Sequence, residues 1–474
     1  MSTVKKLIKS SAIYMMGSMS SKVISFFLLP LYTSYLKVDD YGLYDLVSVY
    51  MQIAASVLFL DIWNATLRFI FDQKEKKDKY IPVHTGMLPF LCSFILMTVS
   101  VLIFSLFRPI PYLPLVLASG LLSNVTSYYS YCARGLGHNK LFALTGIVST
   151  VVIAVTNIFC IVVLGLGVRS LFIAAIISSV VNIVLIEFKI KLLFTFKIKN
   201  VDIKLAAGMM TYALPLCLNS VSFWFLTNFS KVAINQYFSI TENGLFAIGG
   251  KFSSMLNLVA SCFSLAWQEA AFAKDGTTEQ RGIFFSVAFD KYVRFMVSGA
   301  LCLMPAIWFV FPYLIKNPEY AAAQNLTALN LTGTIFSIMS GFLASIFGNI
   351  MKTKFVFVST LSGAIVNVAL VYLLIPIFGV NGANLAFMFG YIVNVVFRVL
   401  LLRHYIGLKV DIKIVVISLV LLVTNLFMFF SGRVYLNAAA FIVGVIFFFF
   451  NFHSEIIKGF ELLKAAVSKR KIKG

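Results

Sequence analysis

The strongest constraint on this chain is a rhythm: apolar runs of about 20 residues recur from one end to the other, separated by short polar links. A helix rises about 1.5 Å per residue, so each run matches the roughly 30 Å of a bilayer's hydrocarbon. The alternating segments of about 10 residues that build an outer-membrane barrel are not present. With 60% hydrophobic and only 12% charged residues, the chain has too little polar surface to cover a soluble core of 474 residues. The fold expected is an all-α polytopic membrane protein with about 14 transmembrane helices. The first two spans fall near 10–36 and 43–70, the seventh and eighth near 207–237 and 244–270, and the last two near 413–431 and 434–452.

The net charge of +21 could point to nucleic acid. The position of the charges excludes it. Lys and Arg crowd into short links such as "DQKEKKDKY" (Asp72–Tyr80) and "KIKLLFTFKIKN" (Lys189–Asn200), and into the tail "KRKIKG" (Lys469–Gly474). With the N-terminus inside and sides alternating, about 30 of the 39 fall in cytoplasmic links, tails or innermost turns. Five face outside (Lys37, Arg108, Arg169, Lys316, Arg433), and four lie within spans (Lys22, Arg68, Lys231, Lys251). This bias predicts a protein of the cytoplasmic (inner) membrane with both termini cytoplasmic. The opening "MSTVKKLIKSSAIYMMG" has a charged start but no clear small-residue cleavage site, so an uncleaved first helix is expected.

Two distant stretches read almost alike: "YLKVDDYGLYDL" (Tyr35–Leu46) and "YFSITENGLFAI" (Tyr237–Ile248), with Gly42 matching Gly244. One links spans 1 and 2 and the other spans 7 and 8. A second echo pairs "GLGVRSLFIAA" (Gly165–Ala175) with "IFGVNGANLAF" (Ile377–Phe387), before spans 6 and 12. The pattern predicts two six-helix lobes related by pseudo-two-fold symmetry, over residues 1–200 and 201–408. A C-terminal helix pair with a basic tail follows at 409–474. Parallel repeats about an axis along the membrane normal are an architecture of secondary transporters.

These stretches, with "CARGLGHNKLFALTGIVSTVVIAVTN" (Cys132–Asn157), resemble the Wzx-type polysaccharide-biosynthesis or O-antigen flippases of the multidrug/oligosaccharidyl-lipid/polysaccharide (MOP) exporter superfamily. The likeness covers residues 1 to about 405. It implies a V-shaped, two-lobed fold whose cavity is lined by helices 1, 2, 7 and 8. It also implies movement of an undecaprenyl-pyrophosphate-linked oligosaccharide from the inner to the outer leaflet. Membrane lipids, a polysaccharide polymerase and assembly proteins are the partners expected, with no nucleic acid. The last helix pair leaves open a kinship to lipid II flippases, in which such a pair forms a lipid-facing groove.

Charge alone singles out the candidate substrate-binding residues Lys22, Arg68, Lys231 and Lys251, because a cation at mid-membrane costs about 2.5–3.5 kcal/mol on insertion scales and usually faces a cavity or partner. They fall on spans 1, 2, 7 and 8, the four that the resemblance assigns to the cavity. None recurs at the equivalent position of the other repeat, so a ligand explains them better than shared architecture. Such cations suit a pyrophosphate head. Snorkelling toward the interface is the bland alternative, strongest for Arg68. Asn64, Asn219, Asn228, Tyr32, Trp224 and Asn257 are further polar candidates on the same helices. Asp61, deep in span 2, is an ion-coupling candidate or a structural partner for a lysine. Glu269 and Asp290 mark the inner ends of spans 8 and 9, and Pro30, Pro215 and Pro305 fall within spans 1, 7 and 9.

Signs of catalysis are lacking. The six cysteines read as small core hydrophobes, the four histidines lack metal-ligand spacing, and no Gly-rich phosphate loop with a Lys-Ser/Thr pair occurs. No catalytic residue, metal or cofactor is expected. A multidrug or cation exporter would favour acidic cavity residues, and a membrane polysaccharide polymerase would need a sizeable outer loop. Neither feature is prominent here.

Overall fold

The computed structural model describes residues 24 and 26–471, except 74, 76, 77, 197–200, 273 and 275. The side chains of 262, 265, 266, 268–270, 272 and 455 onward also lie outside the described part. The chain is helical from end to end, with no strand among the described residues. Residues Leu29–Tyr35 (α1) close the first span, with Pro30 at its N-terminal turn. Val38–Leu58 (α2) and Ile62–Asp72 (α3) follow, bent by 47°. The run read from the sequence as one span is therefore broken. Leu60 and Asp61 sit at φ 50° and 58°, a left-handed step that an α-helix of L-residues cannot contain.

Tyr80–Phe107 (α4), Leu113–Gly135 (α5), Asn139–Ile158 (α6) and Arg169–Ile190 (α7) complete the first half. Ile203–Thr227 (α8) and Phe229–Tyr237 (α9) are separated by a one-residue interruption at Asn228, and Ile240–Phe272 (α10) follows. Then come Thr278–Leu314 (α11), Gln324–Asn349 (α12), Lys354–Phe378 (α13) and Val380–Ile406 (α14). Ile412–Phe430 (α15) and Val434–Lys471 (α16) close the chain. Side-chain caps mark several starts: Asp202 accepts from the Lys204 and Leu205 amides, Thr277 and Gln280 form a capping box, and Asp411 opens α15. Pro215 and Pro305 stand inside α8 and α11 without ending them, as packed neighbours in a bundle allow.

Ten helical segments among the described residues are long and apolar enough to cross a membrane, and the bent α2–α3 pair adds an eleventh. α5 and α10, also read as spans from the sequence, are not among the ten. Each brings a run of polar side chains to a cavity: Ser123, Asn124 and Ser127 on α5, Asn257, Ser261 and Ser264 on α10. The outer faces of the bundle carry bare apolar side chains such as Leu106 and Phe450, while asparagines are turned inward. Asn367 donates to the Phe225 carbonyl (2.9 Å), Asn384 to Leu326 (3.1 Å) and Asn425 to Leu301 (3.1 Å). This inversion suits a hydrocarbon solvent, where polar groups serve as glue between helices.

Three apolar cores position the cavities. One gathers α3, α4, α5 and the end of α7 around Phe59, Tyr128 and Met97. Another gathers α11, α12, α14 and α15 around Phe285, Met296 and Phe347. The third unites both halves at the end of the bundle that carries the Gly42 and Gly244 hinges, through Leu36, Tyr41 and Phe172 on one side and Phe252, Phe311 and Tyr320 on the other. α8 bridges: Met209 and Ala213 join the first core, while Leu226 packs on Ala364 and Tyr391.

Candidate substrate-binding cavities

At the hinge end the two halves are sealed by main chain. A Cβ on Gly42 would collide with the Ile240 carbonyl oxygen, and one on Gly244 with that of Val38. Since Val38 and Ile240 are also 202 residues apart, the contact is reciprocal, as across a two-fold axis. Around it Asn243 donates to the Gly42 carbonyl (3.1 Å) and Thr241 to Asp39 (2.5 Å). Tyr320 donates to the Leu36 carbonyl (3.1 Å) and Asn317 to that of Thr33 (3.2 Å).

Toward the other end the halves separate around a cavity of about 670 Å³. Arg134 and Phe142 of the first half face α8, α10, α12 and α14 across it. One wall is an aromatic shelf, with Trp267 stacked on Phe342 at 4.1 Å and Tyr292 on Phe342 at 4.6 Å. Trp267 Nε1 donates to Ser345 Oγ (2.7 Å), which fixes the ring. Flat π faces of this kind suit the C–H faces of a sugar ring. Arg134, in the last turn of α5, lies over the Tyr131 and Phe142 rings at 5.3 and 5.4 Å. Arg398 is 3% exposed and donates to Ser359 Oγ (2.8 Å), Ser340 O (2.5 Å) and Oγ (2.9 Å), Thr360 Oγ1 (3.0 Å) and Val356 O (3.3 Å). All five contacts are to neutral acceptors. No Asp or Glu is among the described residues lining this cavity.

A second cavity, of about 590 Å³, lies nearer the hinge end between α2, α5 and α9. Its wall holds an ion pair across elements, Lys231 Nζ to Asp45 at 2.8 Å, with both side chains largely buried. Asn228 Nδ2 donates to Gln52 Oε1 (3.0 Å), and Trp224 Nε1 donates to the Val49 carbonyl (3.1 Å), holding α8 against α2.

The expected site residues are thus dispersed. Lys22 lies outside the described residues, and so does the side chain of Glu269. Lys231 lines the second cavity, paired with Asp45. Lys251 on α10 is half-buried, has no ion pair with a described carboxylate, and lies within electrostatic reach of Tyr44 on α2. Arg68 is 52% exposed and pairs with Asp72 one turn on, away from both cavities' lining residues. Asp61 stands at the α2–α3 break. It accepts from Asn64 Nδ2 (3.1 Å) and Ser220 Oγ (2.8 Å), neutral partners rather than a lysine.

Sequence reading missed Arg398 and Arg134, having counted both among the cytoplasmic links and innermost turns. A signal was present for Arg398: Tyr391, Asn394 and Arg398 recur at i, i+3 and i+7 in an otherwise apolar run, which puts them on one face of the helix. It also missed Arg294, which pairs with Asp290 (2.8 Å) and donates to Asn451 (2.8 Å), tying α11 to α16.

Two helical halves joined around a central cavity are the fold seen in transporters of the MOP superfamily. The chain superposes on a multidrug resistance MATE family transporter in an inward-facing conformation (TM-score 0.69, 16% identity, 85% of this chain and 98% of that one). It also superposes on the outward-facing conformation of a MATE family transporter (0.60, 19%, 85% and 95%), and on the lipid II flippase MurJ in an inward closed conformation (0.66, 15%, 94% and 100%). At such identities the likeness concerns the fold. No curated protein matches the sequence. Residues 7–267, more than half of the chain, match the polysaccharide biosynthesis protein family, and the chain belongs to that family.

Proposed function

We propose that the protein is a flippase that carries an undecaprenyl-pyrophosphate-linked oligosaccharide from the inner to the outer leaflet of the cytoplasmic membrane by alternating access. One observation carries this reading: the cavity between the halves sets serines and asparagines beside an aromatic shelf, and two arginines without a described acid line it. An anionic head bearing sugars suits that lining, and a cationic drug does not. The charge bias of the links puts the hinge end outside and both termini in the cytoplasm, so the cavity opens inward. The lobes are 1–200 and 201–408, with the helix pair 409–474 appended. Lys22 and Lys251 contact the cargo's anionic head as it enters, Lys231 is held ready by Asp45, and Arg68 guides the head at the entrance. Asp61 is the ion-coupling candidate. A polysaccharide polymerase takes the delivered substrate.

Deleting the gene should abolish surface polysaccharide while the lipid-linked oligosaccharide accumulates inside, and the intact gene should restore it. Normal surface polysaccharide in the deletion strain would end this reading. A second reading, transport of lipid II, is favoured by the MurJ structure covering 94% of this chain, against 85% for the MATE structures. In that case the deletion would instead deplete cell-wall precursor at the outer leaflet.

A further inference from the structure

The face that α14 turns toward the cavity between the halves carries a polar group that helix packing leaves unexplained. Tyr391, Asn394 and Arg398 share this face and line the cavity. The Arg398 guanidinium is locked by its five contacts with Ser340, Val356, Ser359 and Thr360, so its charge cannot swing out to the interface. The Ser340 hydroxyl accepts from Arg398 and donates to Asn394 Oδ1 at 2.8 Å. That relay pins Asn394 by its carbonyl oxygen and leaves Nδ2 as the free end. Asn394 Nδ2 is buried and has no hydrogen-bond partner, and the Tyr391 hydroxyl beside it has only the Ser337 side chain within reach. Buried polar groups are rarely left in this condition unless something else satisfies them.

A fixed cation beside an unused amide donor and a tyrosine hydroxyl recognises an anion; it repels a cation. We propose that Tyr391, Asn394 and Arg398 form the subsite for the pyrophosphate of the cargo, separate from Lys22, Lys231 and Lys251; this deepens the flippase reading and rests on it. Arg398 acts through its charge. Asn394 and Tyr391 lie just beneath the cavity wall and supply the direct hydrogen bonds after a small displacement of that wall.

The test measures binding of inorganic pyrophosphate and of farnesyl pyrophosphate to the full-length protein in nanodiscs. Asn394→Asp keeps the oxygen that Ser340 needs, replaces the free amide with a carboxylate, and neutralises Arg398 without changing shape. It should bind at least about tenfold more weakly while its unliganded thermal stability holds. Arg398→Lys, which keeps charge but loses the five-donor geometry, should also weaken binding. If both ligands bind to the wild type, the site reads phosphate alone; if only farnesyl pyrophosphate binds, it reads the head of a lipid. Either result, with loss in Asn394→Asp, supports the subsite. Wild-type affinity in folded Asn394→Asp would overturn the subsite and leave the flippase reading standing. A wild type that binds neither ligand would also overturn the subsite, while the flippase reading is decided separately by surface polysaccharide in the deletion strain.

Discussion

Arg398 and Lys251 carry the same charge within helices of one bundle, yet their surroundings differ. Arg398 is caged by three hydroxyls and two carbonyls, whereas Lys251 is half-buried with no described carboxylate in an ion pair. Replacing Arg398 by Leu removes the donor for five acceptors, each of which costs about 1–3 kcal/mol if left buried and unsatisfied. The expected outcome is a clear fall in melting temperature and in membrane abundance, read by thermal-shift chromatography of the detergent extract. Lys22→Ala with Lys251→Ala should act differently, because removing a cation from a span relieves an insertion cost. That double variant should lose most surface polysaccharide at normal membrane level, with Lys→Arg partly active and Lys→Glu worst. Full activity at normal abundance would remove both lysines from the transport path.

Among the elements, the break between α2 and α3 is the clearest departure from a plain span. Asp61 adopts φ 58°, a conformation that Asp and Asn tolerate and β-branched residues resist. Asp61→Asn should therefore keep the bend and its contacts with Asn64 and Ser220, while Asp61→Val should lower thermal stability. Polysaccharide export separates the roles at this point. An active Asp61→Asn protein marks a structural residue; an inactive but stable one marks ion coupling. The Lys231–Asp45 pair joins α9 to α2 in a part-buried setting, where removing one partner strands the other's charge. Lys231→Met and Asp45→Asn should each impair export more than the two together, and equal, additive losses would show that the pair is not a functional strap.

For the whole molecule, the decisive feature is that the halves share one apolar core at the hinge end, are bridged by α8, and face one another across a cavity toward the other end. The seal there is backbone against backbone at Gly42 and Gly244, so Gly42→Val should wedge it open. The prediction is that a cysteine at Ser48, placed in a background without native cysteines, reacts with an impermeant thiol reagent only when Gly42→Val is present. Equal labelling in both backgrounds would show that this contact is not the gate. Reporter fusions after Asn200 and Gly474 should both report cytoplasm, and an outside signal from either would overturn the assigned orientation.

The polytopic helical nature of the chain, its repeat and the match of Gly42 with Gly244 were all legible without coordinates. The bilayer is a uniform solvent, so the length of an apolar run and the sign of the adjoining charges are local properties. Side-chain partners are not local. Asp61 finds Ser220 across 159 residues, Lys231 finds Asp45 across 186, and Arg398 finds Ser340 across 58. Which cation faces a cavity, which is caged and which lies at the surface depends on how each helix is rotated, bent and abutted by others. An apolar run leaves that rotation unspecified, because hydrocarbon solvates every face of it alike, and only the packing of the halves against one another selects the face that meets the cavity.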